Sequence, residues 1–103
     1  YNVEISPNGK HMVATLKGNG KTAIWDLESG SLIKTIKNST SVPHGIAFSS
    51  DSKFAFISVE GIGGEPGIVD VIDLTNLSFV DKVEIGKQAG GIAFWKKEIW
   101  LSI

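Results

Sequence analysis

"PHGIAFSSDSKFAFISVEG" (Pro43 to Gly61) holds an apolar run, Gly45 to Phe48, then the turn-forming Ser50-Asp51-Ser52, then a second run, Lys53 to Val59. It reads as strand, tight turn, strand. In the second run Phe54 and Phe56 point one way, while Ala55, Ile57 and Val59 point the other. Both faces are therefore apolar. An antiparallel sheet with one wet face alternates apolar with polar. A strand that is apolar on both sides needs a packed layer on each, and sheets stacked radially around an axis supply one. Met12 to Leu16 follows the same pattern, with Thr15 its only polar member.

Working outward, blurred copies of the stretch stand before and after it. Ile5-Ser6-Pro7-Asn8-Gly9-Lys10 aligns with Phe48-Ser49-Ser50-Asp51-Ser52-Lys53 at an offset of 43 residues. Ile24-Trp25-Asp26-Leu27 aligns with Val71-Ile72-Asp73-Leu74 at 47, and Gly45-Ile46-Ala47-Phe48 with Gly91-Ile92-Ala93-Phe94 at 46. The extra residues of the second copy fall in the glycine-rich insertion 61–67. A period of this size is that of a four-stranded blade. The spacing predicts strands near 2–6, 10–17, 21–27 and 31–37 in the first copy. In the second it predicts 45–49, 53–60, 68–74 and 78–85, with the first strand of a third copy at 91–95. The fourth strands, Leu32 to Lys37 and Phe79 to Glu84, mix apolar and charged positions, as an exposed rim does. Helical spacing is nowhere sustained. The expected class is all-β: β-propeller blades in a partial ring, or in a ring completed by other blades. The blades are expected at about 1–38 and 44–86, with the start of a further blade or closing strands at 90–103.

Composition excludes several roles. Ten basic and eleven acidic residues are spread thinly, with no basic stripe for nucleic acid. No polybasic run flanks an apolar segment, and no apolar run approaches the ~20 residues of a membrane span. Cysteine is absent, so disulfides and thiolate metal sites are excluded. Tyr1 opens directly on strand-like sequence, without a leader pattern, which leaves the compartment undetermined.

The second copy, "PHGIAFSSDSKFAFIS" followed by "VDVIDLTNLSFVDKVEIG", resembles the YVTN-type β-propeller repeat. Ser52 departs from it where a turn glycine is usual, and Trp95-Lys96-Lys97 replaces the serine-led turn in the last copy. "AIWDLESGSLIKTI" (23–36) is also similar to the WD-repeat signature, which ends a strand on Trp-Asp. The second copy carries Ile72-Asp73 there and no Gly-His pair precedes either blade, which favours the YVTN type. Trp25 is expected buried between blades, and Asp26 is expected to accept hydrogen bonds in the turn after it. The resemblance implies an extracytoplasmic home: periplasmic, cell-surface or secreted.

Rings of this kind use 4–8 blades, and 103 residues supply about two. Either further blades come from a longer chain, of which this would be a C-terminal portion, or short chains close a ring by symmetry. The first is favoured.

The loops after the second and fourth strands share one ring face, and both vary in length between copies. Binding residues are therefore expected there: His44 at the start of the innermost strand, Glu65 in the insertion and Trp95 at the end of the third copy's first strand. His44 is expected to bond a neighbouring backbone group rather than a metal, and His11 to face solvent. Gly61-Ile62-Gly63-Gly64 lacks the strand-to-helix setting of a phosphate cradle. Asp70, Asp73 and Asp81 lack calcium-loop spacing. Asn38-Ser39-Thr40 and Asn76-Leu77-Ser78 fit the N-glycosylation pattern. Two distant histidines and no cysteine leave acyl transfer without a base.

The expected role is a non-catalytic binding or scaffold module without cofactor or metal, whose ligand is a protein, a small molecule or a carbohydrate. Two alternatives stand beside it. One is a carbohydrate-binding propeller of short chains, with Trp25, Trp95 and Trp100 as stacking candidates. The other is a propeller subunit of a dehydrogenase-type enzyme.

Overall fold

A serine-led turn opens both copies and fixes their geometry. Ser6 Oγ donates to Asn8 Oδ1 (2.8 Å), which also accepts from the Lys10 N–H (3.0 Å), and the His11 N–H donates to Ser6 Oγ (3.1 Å). Forty-three residues on, Ser49 Oγ donates to Asp51 Oδ1 (2.6 Å), which accepts from the Lys53 N–H (3.0 Å), and the Phe54 N–H donates to Ser49 Oγ (3.0 Å). Short polar side chains here satisfy the backbone donors that a tight reversal leaves over.

The computed structural model describes the backbone of residues 2–16, 18–40, 42–60, 66–87, 91–95 and 98–102, and side chains as far as residue 84, apart from residue 66. The strands are β1 (Val3–Ile5), β2 (His11–Leu16), β3 (Lys21–Asp26), β4 (Ser31–Lys37), β5 (Pro43–Phe48), β6 (Phe54–Val59), β7 (Pro66–Asp73), β8 (Ser78–Lys87), β9 (Gly91–Trp95) and β10 (Glu98–Ser102). Two four-stranded antiparallel sheets run in chain order, β1-β2-β3-β4 and β5-β6-β7-β8, and β9 pairs with β10. The all-β architecture of four-stranded meanders expected from the repeat is thus present. β5 packs against the first sheet on one side and against β9 on the other.

The apolar faces follow the alternation of β6. Ala55, Ile57 and Val59 are fully buried. They join Val13, Ile24 and Ile36 of the first sheet in one cluster with Ile46, Phe48, Ile72 and Leu74. The opposite side of β6 presents Phe54 and Phe56, both half-buried. β4 is exposed except at Ile36, as a rim strand should be.

Two expectations are corrected here. Trp25 is half-buried rather than buried. The register pairs it with Met12, while Val13 and Ile24, one step along, fill the core cluster. Trp25 therefore lies on the side of the first sheet that faces away from the second. His11 does not simply face solvent: its ring is half-buried, and Nδ1 is enclosed without a hydrogen-bond partner.

The departure at Ser52 also finds its reason. Ser52 adopts φ 60°, the left-handed conformation that its counterpart Gly9 holds at 73°. Its buried hydroxyl accepts the Asn8 N–H at 3.0 Å, tying the turn of one sheet to that of the other. A glycine would relax the backbone and lose the tie.

Asp26 accepts the Ser29 N–H (3.1 Å) in the β3–β4 turn, as expected. Hydrogen bonds from the Ser29 hydroxyl and N–H hold its carboxyl below the usual 3.8. The Ser49 hydroxyl and then the Lys53 N–H do the same for Asp51. Because these folded-state values lie below the unfolded ones, the turn contributions are complete above the ordinary aspartate range and fade as pH falls through the depressed values. Carboxyl-carbon NMR titration should give midpoints below 3.8 for both residues; midpoints at or above that value would refute the turn geometry.

Candidate functional site

The antiparallel order places the β2–β3, β4–β5 and β6–β7 connections at one end of the sheets and the β1–β2, β3–β4, β5–β6 and β7–β8 turns at the other. The first end is where ligand contacts were expected, and His44 stands there. Its Nε2 lies within hydrogen-bond distance of Glu60 Oε2, at 2.8 Å, with 24% and 34% of the two side chains exposed. The partner is thus a carboxylate and not the backbone group anticipated. The juxtaposition follows from register: Pro43 pairs with Val59, so the residues on either side of that pair meet at the strand ends. Thr40 Oγ1 donates to the Glu60 carbonyl (2.8 Å), and the Glu60 N–H to the Val42 carbonyl (3.0 Å), so the connection folds over the pair.

The His44 carbonyl is held from the first sheet as well. Thr15 Oγ1 donates to it at 3.0 Å and Asn2 Nδ2 at 2.7 Å. This is how Thr15, the polar member of the Met12–Leu16 run, is accommodated at zero exposure.

A second polar set pins the β4–β5 connection. Asp70 on β7 has no exposed surface. Its Oδ2 accepts Asn38 Nδ2 (3.1 Å) and the Ser39 N–H (2.8 Å), and its Oδ1 accepts Ser39 Oγ (2.6 Å). Asn38 Oδ1 accepts from the buried Thr22 hydroxyl (2.8 Å), which extends the network into β3. Sequence reading set Asp70 aside for want of calcium spacing; Asn38 and Ser39, its partners, are more than thirty residues away and leave no local pattern. Asn38 is 5% exposed and both ends of its amide are engaged, so the 38–40 acceptor pattern is occupied structurally, whereas Asn76 is exposed.

Of the other expected site residues, Glu65 lies outside the described residues, and Trp95 closes β9 opposite Glu98 with its side chain outside them. Of the expected site residues, the described part of the structure therefore brings His44 together with Glu60. Among the described residues no group of three His, Cys, Asp or Glu is placed to hold a metal, and no helix is long and apolar enough to cross a membrane.

No protein-family model and no curated protein matches the sequence. Solved structures do. The hydrazine synthase of Kuenenia stuttgartiensis superposes with a TM-score of 0.85 at 14% identity, over 97% of this chain and 28% of that one. The β-propeller domain of Cps50 (Swd1) from Myceliophteria thermophila superposes at 0.79 and 15% identity, over 98% and 31%. The chain spans about three tenths of each of these neighbours. At these identities the likeness is one of fold: the two sheets are β-propeller blades.

Proposed function

We propose that the chain is part of a YVTN-type β-propeller that serves as a non-catalytic binding or scaffold module, its ring completed by further blades of a longer chain. One observation carries this reading. The outer face of the first sheet is apolar and uncovered: Val3, Ile5 and Leu32 are 47%, 55% and 54% exposed, with Met12 and Trp25 half-covered beside them. Folded proteins seldom leave so continuous an apolar face to water. A preceding blade is the partner whose shape suits it.

Binding is favoured over catalysis on chemical grounds. The sequence has no cysteine and two histidines, of which His44 is engaged by Glu60. The binding end is assigned to the connections bearing His44 and the insertion with Glu65; Trp95, which closes β9 beside the β9–β10 turn, belongs to the opposite end and is left out of it. An extracytoplasmic location rests on the family resemblance alone.

Light scattering combined with an apolar fluorescent dye tests the proposal. The expected result is an 11.0 kDa monomer that binds the dye, with dye binding lost in a Val3→Glu, Ile5→Glu double variant. A monomer indifferent to the dye overturns the need for further blades. A closed assembly of several chains overturns the longer-chain reading in favour of symmetric short chains, for which glycan-array screening is the next step.

A further inference from the structure

The turn end of the sheets, opposite His44, carries a groove of about 350 Å³ between the two blades, within the size range of small-ligand sites. Lys10 and His11 line it from the first blade, and Ser52, Lys53 and Leu77 from the second. The two copies of the repeat act as internal controls for each other. Ser52 and Leu77 are the non-glycine residues with positive φ among the described residues, at 60° and 56°. Their counterparts in the first copy, 43 and 47 residues earlier, are Gly9 and Gly30, both at 73°. The second blade thus holds side chains in a conformation that glycine adopts without strain, at two places, and both line this groove. At Ser52 the bond from the Asn8 N–H accounts for that conformation, and Leu77 packs in part against the core cluster; both positions also place a side chain in the groove wall that glycine would leave bare.

The polar lining is unbalanced in a way that defines a ligand. Asp51 also lines the groove, but Oδ1 of its carboxylate is engaged by Ser49 Oγ and the Lys53 N–H. Asp73, next to the lining residue Leu74, holds the Thr75 and Asn76 N–H groups at 2.7 and 3.0 Å. The lining thus carries two ammonium groups, Lys10 and Lys53, against the single carboxylate of Asp51, which Lys53 helps to hold ionised without coming within ion-pair distance of it. His11 Nδ1 is enclosed and unpartnered. Leu74 and Leu77 supply the apolar wall. The groove opens at the loop ends, so blades added on the outer sheet faces leave it accessible.

We infer that this inter-blade groove binds a small aliphatic carboxylate, its anionic head between Lys10 and Lys53 and its apolar body against Leu74 and Leu77. The assignment is independent of the role proposed for the opposite end.

Amide NMR titration of the chain tests it with three probes: 4-methylpentanoate, acetate and 4-methylpentanamide. The first is expected to give saturable shifts at Ser52, Lys53 and Thr75. Acetate, lacking the apolar body, and the amide, lacking the charge, should each bind about tenfold more weakly. Leu77→Gly installs the first copy's residue, keeps the backbone conformation and should reduce 4-methylpentanoate binding to the acetate level. Lys10→Gln with Lys53→Gln should reduce it to the amide level, while Lys→Arg at both positions retains it. Added salt should weaken binding, because both ammonium groups are exposed. Absence of saturable shifts, equal affinity for acid and amide, or unchanged affinity in both the Leu77 and the lysine-to-glutamine variants overturns the assignment.

Discussion

Asp70→Ala is expected to destabilise the chain by about 3 kcal/mol, because a fully buried carboxylate with three hydrogen bonds would leave its partners behind. The Asn38 amide is buried, so its freed N–H has no water to turn to. Ser39 is exposed and would be rehydrated, which keeps the total below the sum of three full penalties. In a domain of this size each kcal/mol lowers Tm by ~4–8 °C, so a fall on the order of 15 °C is anticipated. Ser39→Ala, which removes one of the three bonds at an exposed position, should cost only about 1 kcal/mol. Urea unfolding of the two variants measures the difference. A loss below about 1 kcal/mol for Asp70→Ala would show that the linker is not held by this carboxylate.

Ile57→Ala is the second large effect, at about 2–5 kcal/mol, with Ile57→Val near 1 kcal/mol. Ile57 has no exposed surface and sits in the cluster that joins the blades, opposite Ile46 on one side and Asp70 on the other. The size of the penalty reports how tightly the first blade closes over β6. If the two sheets did not stack, Ile57 would lie on a wet flank and its truncation would cost well under 1 kcal/mol. The midpoint of urea unfolding, at unchanged slope, decides between the two.

The blades were legible in the sequence because their cause is periodic. Turn residues recur 43 residues apart, and the two-sided apolar pattern of residues 54–59 demands a layer on each side. Burial of Ala55, Ile57 and Val59 follows from that pattern alone. Trp25 reads as core from its type alone; the register, with Val13 against Ile24, puts it on the outer face of the first sheet, where this chain covers it only by half. The polar ties were illegible for a different reason. Asn8 meets Ser52, Thr15 meets the His44 carbonyl, and Asn38 meets Asp70, all across tens of residues and between different copies. No periodicity marks such pairs. Ser52 was visible as a departure from the repeat, and Leu77 at the Gly30 position carried the same kind of signal. A comparison of each glycine with its counterpart in the next copy would have pointed to the turn end of the blades.

The ties between the blades have a geometric consequence. Asn8 on Ser52 fastens one edge of the pair, Thr15 on His44 the other, and the Asp70 network the strap that runs from blade to blade. Fastened at top, bottom and along the connecting strap, neighbouring sheets cannot splay or close like a book, so the angle at which each leans on the next is set once. Curvature in stacked repeats accumulates from that single angle. At the seam between these two blades that angle is set locally, by a few side-chain hydroxyls and one carboxylate.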